Sequence, residues 1–213
     1  MPTATWERLP AARRDAIVAA AEAEFAAKGF SRGSLNVIAR EAGVAKGSLF
    51  QYFDDKLGLF AYLSELASLR IGAAMAKHSA PLPWADDFFG AFTAMLTAWV
   101  GHFRNHPADL ALTAAVNLEL DPDTRVAVRE VVNRHYLRSL RRTIDHGVQV
   151  GALRADADLD ACLALLLLVL SHLALAANMP GLDPVLGLDT DPDQAVERVV
   201  AVFRAAFGTP EVT

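Results

Sequence analysis

Residues 29–60, GFSRGSLNVIAREAGVAKGSLFQYFDDKLGLF, predict two short helices with a turn between them. Ser34 is a residue type that favours the N-cap position, and apolar side chains then recur at helical spacing from Leu35 to Ala42. Gly43 follows, and glycine most readily adopts the positive φ at which many helices end. The pattern therefore predicts that the first helix ends at this glycine.

A second helix is predicted over about residues 46–52, where Leu49 and Phe53 lie four positions apart and point inward. Two short helices joined by a glycine turn have the shape of a helix-turn-helix, whose second helix fits the major groove of DNA. Spacing alone is equally compatible with an ordinary helical hairpin in a protein core. The outward side chains of the second helix are short or hydrogen-bonding groups, which suit a surface that contacts DNA.

The same residues carry a resemblance to a known family. The stretch IAREAGVAKGSLFQYFDDKLGLF is similar to the DNA-binding signature of the tetracycline-repressor (TetR) family of transcriptional regulators. The preceding IVAAAEAEFAAKGF, from Ile17 to Phe30, is similar to the first helix of that family. The similarity spans about residues 12–63 and implies a helix-turn-helix domain followed by a helical domain that dimerises and binds an effector.

Eight residues are predicted to contact DNA, namely Ser34, Asn36, Lys46, Gly47, Ser48, Gln51, Tyr52 and Lys56. The family usually has a tyrosine at the position of Phe50, and the hydroxyl of that tyrosine often binds a phosphate. Phenylalanine has no hydroxyl, so Tyr52 and Lys56 are predicted to bind the sugar-phosphate backbone instead. Residues earlier on the second helix are predicted to contact bases.

The composition is typical of a compact globular protein, with 53% hydrophobic and 21% charged residues in a chain of 213. Residues 1–60 carry 8 Lys or Arg and 7 Asp or Glu, so the net charge of −5 arises from the rest of the chain. A weakly basic domain must bind DNA through a few well-placed contacts and through dimerisation. The single cysteine, Cys162, argues against a disulfide framework, and charged residues at positions 1–20 argue against a signal peptide. A cytoplasmic location is therefore expected.

No segment shows sustained alternation of apolar residues, so the prediction is an all-α fold of about nine helices. Residues 1–56 are predicted to form the helix-turn-helix DNA-binding domain, and residues 57–213 the effector-binding and dimerisation domain. Residues 1–9 are expected to be a loose arm. A long helix from about Asp54 to Lys77 is expected to be the only covalent connection between the two domains.

The most apolar stretch, residues 161–182, has no charged residue and approaches the length of a membrane span. Polar residues within it and aspartates before it argue against a membrane, so burial by its own domain and by a second subunit is expected. The resemblance implies a four-helix dimer interface formed by about residues 158–178 and 192–207. This interface is predicted to include Leu163, Leu167, Leu170, Val199 and Phe203.

Aromatic residues at helical spacing over residues 88–103 are either core or the lining of an effector pocket. The resemblance implies a pocket among the central helices. The predicted ligand-binding residues are Phe89, Phe92, Trp99, His102, Phe103 and His172. His102 and His106 are four residues apart, but no third metal ligand lies near them in sequence, so neither a metal nor a cofactor is expected. The arginines of residues 125–142 are interpreted as a solvated helix face, and binding of an anionic ligand or nucleic acid is the alternative.

These patterns predict a dimeric, ligand-responsive transcriptional repressor that binds a near-palindromic double-stranded DNA operator. The expected effector is small and apolar or aromatic. The alternative is a structural or protein-docking DNA-binding factor of the same fold without a small-molecule effector. No catalytic residues are predicted, because the sequence contains no phosphate-binding glycine loop, nucleophile elbow or HExxH motif.

Overall fold

The computed structural model describes residues 2–210, and within that range it contains ten α-helices and no sheet. The helices are α1 (Ala4–Glu7), α2 (Ala11–Arg32), α3 (Leu35–Glu41), α4 (Lys46–Tyr52), α5 (Lys56–Ser79), α6 (Phe88–Asn105), α7 (Pro107–Asn117), α8 (Pro122–Gln149), α9 (Leu159–Ala176) and α10 (Pro192–Phe207). The predicted all-α fold is confirmed. The helix beyond the expected nine is α1, which lies in the segment predicted to be a loose arm.

Aspartate side chains fix where several helices begin. Asp55, Asp121 and Asp191 each accept a hydrogen bond from the backbone N–H three residues later, at 2.7, 2.8 and 3.1 Å. These bonds stand at the starts of α5, α8 and α10. Each one satisfies an N–H group that has no partner inside its own helix.

The chain forms two compact units. Within the described residues, the first unit comprises residues 2–70 together with Pro107–Asn133, and the second comprises Ile71–His106 together with residues 134–210. The chain therefore passes between the units three times. The expected single connection between a DNA-binding and an effector-binding domain stays a prediction, although α7 packs against α2 and belongs to the first compact unit. The functional division expected between residues 56 and 57 stays a prediction, since compact packing does not show which residues bind DNA or effector.

The first unit has an aromatic core and an ion pair between the exposed Arg70 and the buried Asp109. The rings of Phe25 and Phe60 are both fully buried, and their centroids lie 5.0 Å apart. Arg70 Nε donates to Asp109 Oδ1 at 3.0 Å, and Arg70 Nη1 donates to Glu22 Oε1 at 3.2 Å. These bonds connect α5 with both α7 and α2, so α7 is held in the first unit by polar contacts as well as by packing.

The first described residues are packed rather than loose. Trp6 is only 1% exposed, and its ring contacts the rings of Tyr52, Phe53 and Tyr62. The prediction of a loose arm is therefore wrong for residues 2–9. The reason is a contact between residues far apart in sequence, which local composition cannot reveal.

In the second unit, α6 packs against both α9 and α10. Helix α9 buries Cys162, Leu166 and Leu173, whereas Leu165 and Leu168 on its other side are 45% and 68% exposed. By length and composition alone, α5 and α9 could each cross a membrane. Helix α9 is therefore buried along one side within its own unit, as a core helix is, and its other side leaves an apolar face open.

Candidate nucleic-acid interface

Helices α3 and α4 form a helix-turn-helix within the first unit. Gly43 has a φ of 66°, which confirms the predicted turn residue, and Val44 N donates to Ala39 O at 2.9 Å. Ile38 and Leu49 are buried, at 0% and 2% exposed. Helix α3 packs on both α2 and α4, so the orientation of α4 depends on the core of this unit.

Four exposed residues form what we call the outer face of α4: Lys46, Gly47, Phe50 and Gln51. Their spacings of one, three and four positions place them side by side on one surface of the helix. Leu49 and Tyr52 lie on the opposite side and are buried. The outer face therefore presents a cation, an amide and an aromatic ring to solvent, with a glycine that leaves room for close approach.

Three of the eight residues predicted to contact DNA lie on this outer face, and Ser48 is half-buried next to it. Asn36 is exposed on α3. Ser34 precedes α3 in an extended conformation and is half-buried, and its N–H donates to Glu24 Oε1 at 3.0 Å. Its hydroxyl makes no capping hydrogen bond, so the position of the N-cap was predicted correctly but its side-chain bond is absent.

Tyr52 does not lie on the outer face. Its side chain is turned into the first unit and is 6% exposed, with its ring centroid 5.9 Å from that of Trp6. The period of α4 explains this placement, since Tyr52 follows the buried Leu49 by three positions. A phosphate contact through the Tyr52 hydroxyl remains a prediction, and the inward placement gives it no support.

Lys56 uses its ammonium group inside the first unit. Its Nζ donates to the carbonyl oxygens of Phe30, Ser31 and Gly33, at 2.8, 3.3 and 3.3 Å, and lies 4.4 Å from the centre of the Phe30 ring. These carbonyls follow the kink of α2 at Gly29, where φ is 68°. The predicted phosphate contact would compete with these three hydrogen bonds.

The predicted effector residues do not form a single site. Trp99, His102 and Phe103 are all buried, and the Trp99 and Phe103 rings pack edge to face with centroids 5.0 Å apart. Trp99 Nε1 donates to Leu170 O at 2.9 Å. These three residues are therefore part of the core of the second unit, as the alternative interpretation of the aromatic stripe predicted.

Phe89 and Phe92 line a cavity of about 20 Å³ between α6 and neighbouring helices of the second unit. A space of this size holds about one water molecule and no organic effector. His172 is exposed on α9 and is not among the residues lining this cavity. The predicted ligand-binding set is thus divided among core, cavity wall and surface.

The predicted dimer residues are divided between the buried side of α9 and α10 and their open side, where Val199 and Phe203 line a groove. Leu163, Leu170 and Phe203 are 6–8% exposed, and Leu167 and Val199 are half-buried. The open side, which we call the α9–α10 face, instead exposes Leu165, Leu168 and Val202 at 45%, 68% and 67%. It contains an apolar groove of about 300 Å³ lined in part by Leu165, Val169, Val199 and Val202.

The histidine pair and the arginine row have local partners. The rings of His102 and His106 stack with centroids 4.1 Å apart, and His106 Nδ1 lies 2.8 Å from His102 O. Among residues 2–210 no group of three potential metal ligands occurs. Arg125 donates to the backbone at Glu119, and Arg141 pairs with Asp160, which agrees with the interpretation of a solvated helix face.

A helix-turn-helix with an exposed second helix, attached to a larger helical body, defines a class of DNA-binding regulators. The model of the family described as bacterial regulatory proteins, tetR family, matches residues 17–63. The chain is thus similar to the tetR family over these residues and has the fold of TetR-family transcriptional regulators. The resemblance carried by the sequence is confirmed.

Solved structures share this fold along most of the chain. A TetR family transcriptional regulator from Chloroflexus aurantiacus is 22% identical, with 99% of this chain and 100% of that chain covered and a TM-score of 0.66. FadR from Bacillus subtilis, in complex with stearoyl-CoA, is 19% identical over 88% and 97%, with a TM-score of 0.69. SmeT, the repressor of the Stenotrophomonas maltophilia multidrug efflux pump SmeDEF, is 20% identical over 98% and 95%, with a TM-score of 0.68. Among curated protein sequences, none matches this chain.

Two features of the interface were missed from the sequence. Phe50 was set aside because it lacks a hydroxyl, yet it is 49% exposed in the middle of the outer face. Its spacing of four positions from Lys46 was the signal that could have placed it there. Trp6 was treated as part of a loose arm, and no local pattern indicated its contact with the end of α4.

Proposed function

We propose that the protein is a sequence-specific transcriptional regulator that places the outer face of α4 in the major groove of double-stranded DNA. The observation that carries the proposal is the exposure of Lys46, Gly47, Phe50 and Gln51 on one side of α4, whose opposite side is buried. A glutamine can form paired hydrogen bonds with adenine, and a lysine can donate to guanine or to a phosphate. The proposal contains no catalytic step, and a regulator of this kind acts in the cytoplasm.

Phe50 adds an apolar contact to the proposed readout. The apolar group that the major groove offers is the methyl group of thymine. Replacing thymine by deoxyuridine at the contacted positions removes only this methyl group. Burial of one methyl contributes about 0.8 kcal/mol, so the affinity of the wild type should fall about fourfold per half-site. The Phe50→Ala variant should bind both duplexes equally.

The experiment that tests DNA recognition is selection from a library of randomised duplexes. The wild type should enrich a near-palindromic sequence whose half-sites are about 34–36 Å apart. Gln51→Ala should lose the preference at one position of each half-site, at a cost of about 1–3 kcal/mol. The matched control is Gln149→Ala, an exposed glutamine at the end of α8, which should enrich the wild-type sequence. Failure of the wild type to enrich any sequence would refute the proposal.

The proposed assembly is a homodimer that buries the α9–α10 face. Leu165, Leu168 and Val202 leave an apolar surface open on the second unit, and such patches are characteristic of protein interfaces. A two-fold axis through this face would pair α9 and α10 with the same helices of a second copy. This arrangement supplies the two recognition helices that a near-palindromic operator requires.

The proposed regulation is release of an operator by a small, largely apolar ligand, which makes the protein a repressor. Support comes from two proteins of the same fold, since FadR from Bacillus subtilis is in complex with stearoyl-CoA and SmeT is a repressor. The cavity beside Phe89 and Phe92 is too small for such a ligand. Binding there would therefore require side chains of the second unit to move, and the ligand would stabilise the opened conformation.

A second candidate function is a DNA-binding factor of the same fold without an effector. The burial of Trp99 and Phe103 as core residues favours this candidate. Titration of the protein–duplex complex with fatty acids and acyl-CoA esters of several chain lengths separates the two. An effector must weaken DNA binding, and DNA must weaken effector binding by the same factor. If a ligand binds equally well with and without the duplex, that ligand is not the effector. If no ligand weakens DNA binding, the result favours the second candidate.

A further inference from the structure

We propose that residues 2–9, which we call the N-terminal clamp, hold the recognition helix α4 in its DNA-binding orientation, with Thr3 and Trp6 as the positioning residues. The inference rests on the proposed function, in which α4 is the helix that contacts DNA. The clamp does not need to touch DNA for this role. It acts on the end of α4 that carries half of the outer face.

Backbone groups at the end of α4 receive hydrogen bonds from the clamp. The last carbonyl groups of a helix have no partner within that helix. Thr3 Oγ1 donates to Gln51 O at 2.6 Å, and Thr3 N donates to Tyr52 O at 2.9 Å. Pro2 also forms an isolated antiparallel bridge with Phe53. The clamp therefore satisfies two consecutive carbonyls of the recognition helix from outside it.

Trp6 fixes the same end of α4 through its ring. Its centroid lies 5.9 Å from Tyr52, 4.9 Å from Phe53 and 5.5 Å from Tyr62. Its Nε1 donates to the Tyr62 hydroxyl at 3.2 Å. Because Tyr62 belongs to α5, the tryptophan connects the end of the recognition helix to a long helix of the first unit. Aromatic contacts of this kind favour particular ring orientations, so they fix direction as well as distance.

The short length of α4 makes such a clamp consequential. A helix of seven residues is marginal by itself and depends on tertiary contacts for its order. Phe50 and Gln51 lie in its last turn, so fraying from the C-terminal end displaces half of the outer face. DNA then binds only the molecules whose last turn is ordered, and the apparent affinity is the intrinsic affinity multiplied by the ordered fraction.

The test compares Trp6→Ala, Trp6→Phe and Thr3→Val with the wild type, using two readouts. Hydrogen exchange without DNA measures the order of α4, and titration of the selected duplex at several salt concentrations measures binding. Trp6→Ala should raise amide exchange in residues 50–53 by about tenfold while amides in α10 stay protected. Affinity should fall in proportion to the ordered fraction of α4, which the exchange measurement gives, with an unchanged salt slope because no phosphate contact is lost. Trp6→Phe, which keeps an aromatic ring, should show exchange rates and DNA affinity between those of Trp6→Ala and the wild type.

Trp84→Phe is the matched control, because Trp84 also donates through Nε1 but lies in the second unit. It should leave exchange in α4 and DNA affinity unchanged. If Trp6→Ala does not fold, Thr3→Val decides the matter, since it removes one exposed hydrogen bond and should raise exchange in α4 about fivefold.

Unchanged protection of α4 in Trp6→Ala, or in Thr3→Val if the tryptophan variant does not fold, would overturn the proposal. A salt slope lower by about one would also overturn it, because this result marks a direct phosphate contact. If the wild type binds no duplex, the proposed function fails, whereas the exchange measurement still decides whether the clamp orders α4.

Discussion

Replacing Lys56 with methionine should destabilise the first unit and leave the salt dependence of DNA binding unchanged. Methionine keeps the length and the apolar stem of lysine but removes the ammonium group. In the structure that group donates to three backbone carbonyls and lies over the Phe30 ring. Hydrogen bonds to a charged group contribute about 1.5–3 kcal/mol, and an exposed cation–π contact contributes about 0.5–1 kcal/mol. Because Lys56 is half-buried, we expect the lower part of this range, a loss of about 2 kcal/mol.

Two measurements are needed on the same variant. Urea unfolding should show a lower midpoint with an unchanged m value, since the loss concerns stability and not the surface exposed on unfolding. Fluorescence anisotropy at several salt concentrations should give the wild-type slope of log affinity against log salt. Lys46→Met is the control, because Lys46 is exposed on the outer face of α4. It should change stability by less than about 0.5 kcal/mol and reduce the slope by about one.

The opposite result for Lys56→Met would refute this reasoning. If the variant is as stable as the wild type and the salt slope falls by about one, the ammonium group binds a phosphate. The sequence-based assignment would then be correct. The Lys56 ammonium group would leave its three carbonyl partners when DNA binds.

Three further predictions concern the second unit. A Leu168→Glu, Val202→Glu double variant should be a folded monomer by light scattering, because both side chains lie on the open α9–α10 face. The control Val126→Glu, at a 65% exposed position of the first unit, should remain dimeric. A dimeric double variant would contradict the proposed interface. Trp99→Ala should lose about 3–5 kcal/mol of stability in urea, and wild-type stability with a lost effector response would instead identify a pocket. Desolvation by burial raises the pKa of the Cys162 thiol to about 11, so the thiol stays protonated at about pH 8. Iodoacetamide at that pH should therefore modify it only after unfolding. Rapid labelling of the native protein would show that the side chain is accessible.

The helix-turn-helix could be predicted from sequence because its signals are local. A glycine at the turn and apolar residues at helical spacing suffice to define α3 and α4, and Gly43 adopts the expected positive φ. The helical period also indicates that Tyr52 points inward, because it lies three positions after the buried Leu49. Its inward placement was missed because the family resemblance suggested a role for a hydroxyl, and residue chemistry was given more weight than helical position.

Other features depend on contacts that no local pattern encodes. Trp6 packs on residues more than forty positions away, and α7 joins the first unit through Asp109 and Arg70. The predicted dimer residues of α9 stay a prediction for a different reason. Helix α9 is apolar on all sides, so its periodicity cannot distinguish the side that faces its own unit from the side that faces a partner. Only the packed structure separates the buried Leu170 from the exposed Leu168.

The most direct test of the central claim is a disulfide cross-link between a Gln51→Cys variant and a thiol tethered to a base in the major groove of the selected duplex. Cys162, the only native cysteine of the sequence, is buried and therefore does not compete. The cross-link should form at bases within each half-site, and a Gln149→Cys variant, exposed on α8, should form none. Cross-linking at equal rates by the two variants, or none by Gln51→Cys while the duplex is bound, would contradict the placement of α4 in the major groove.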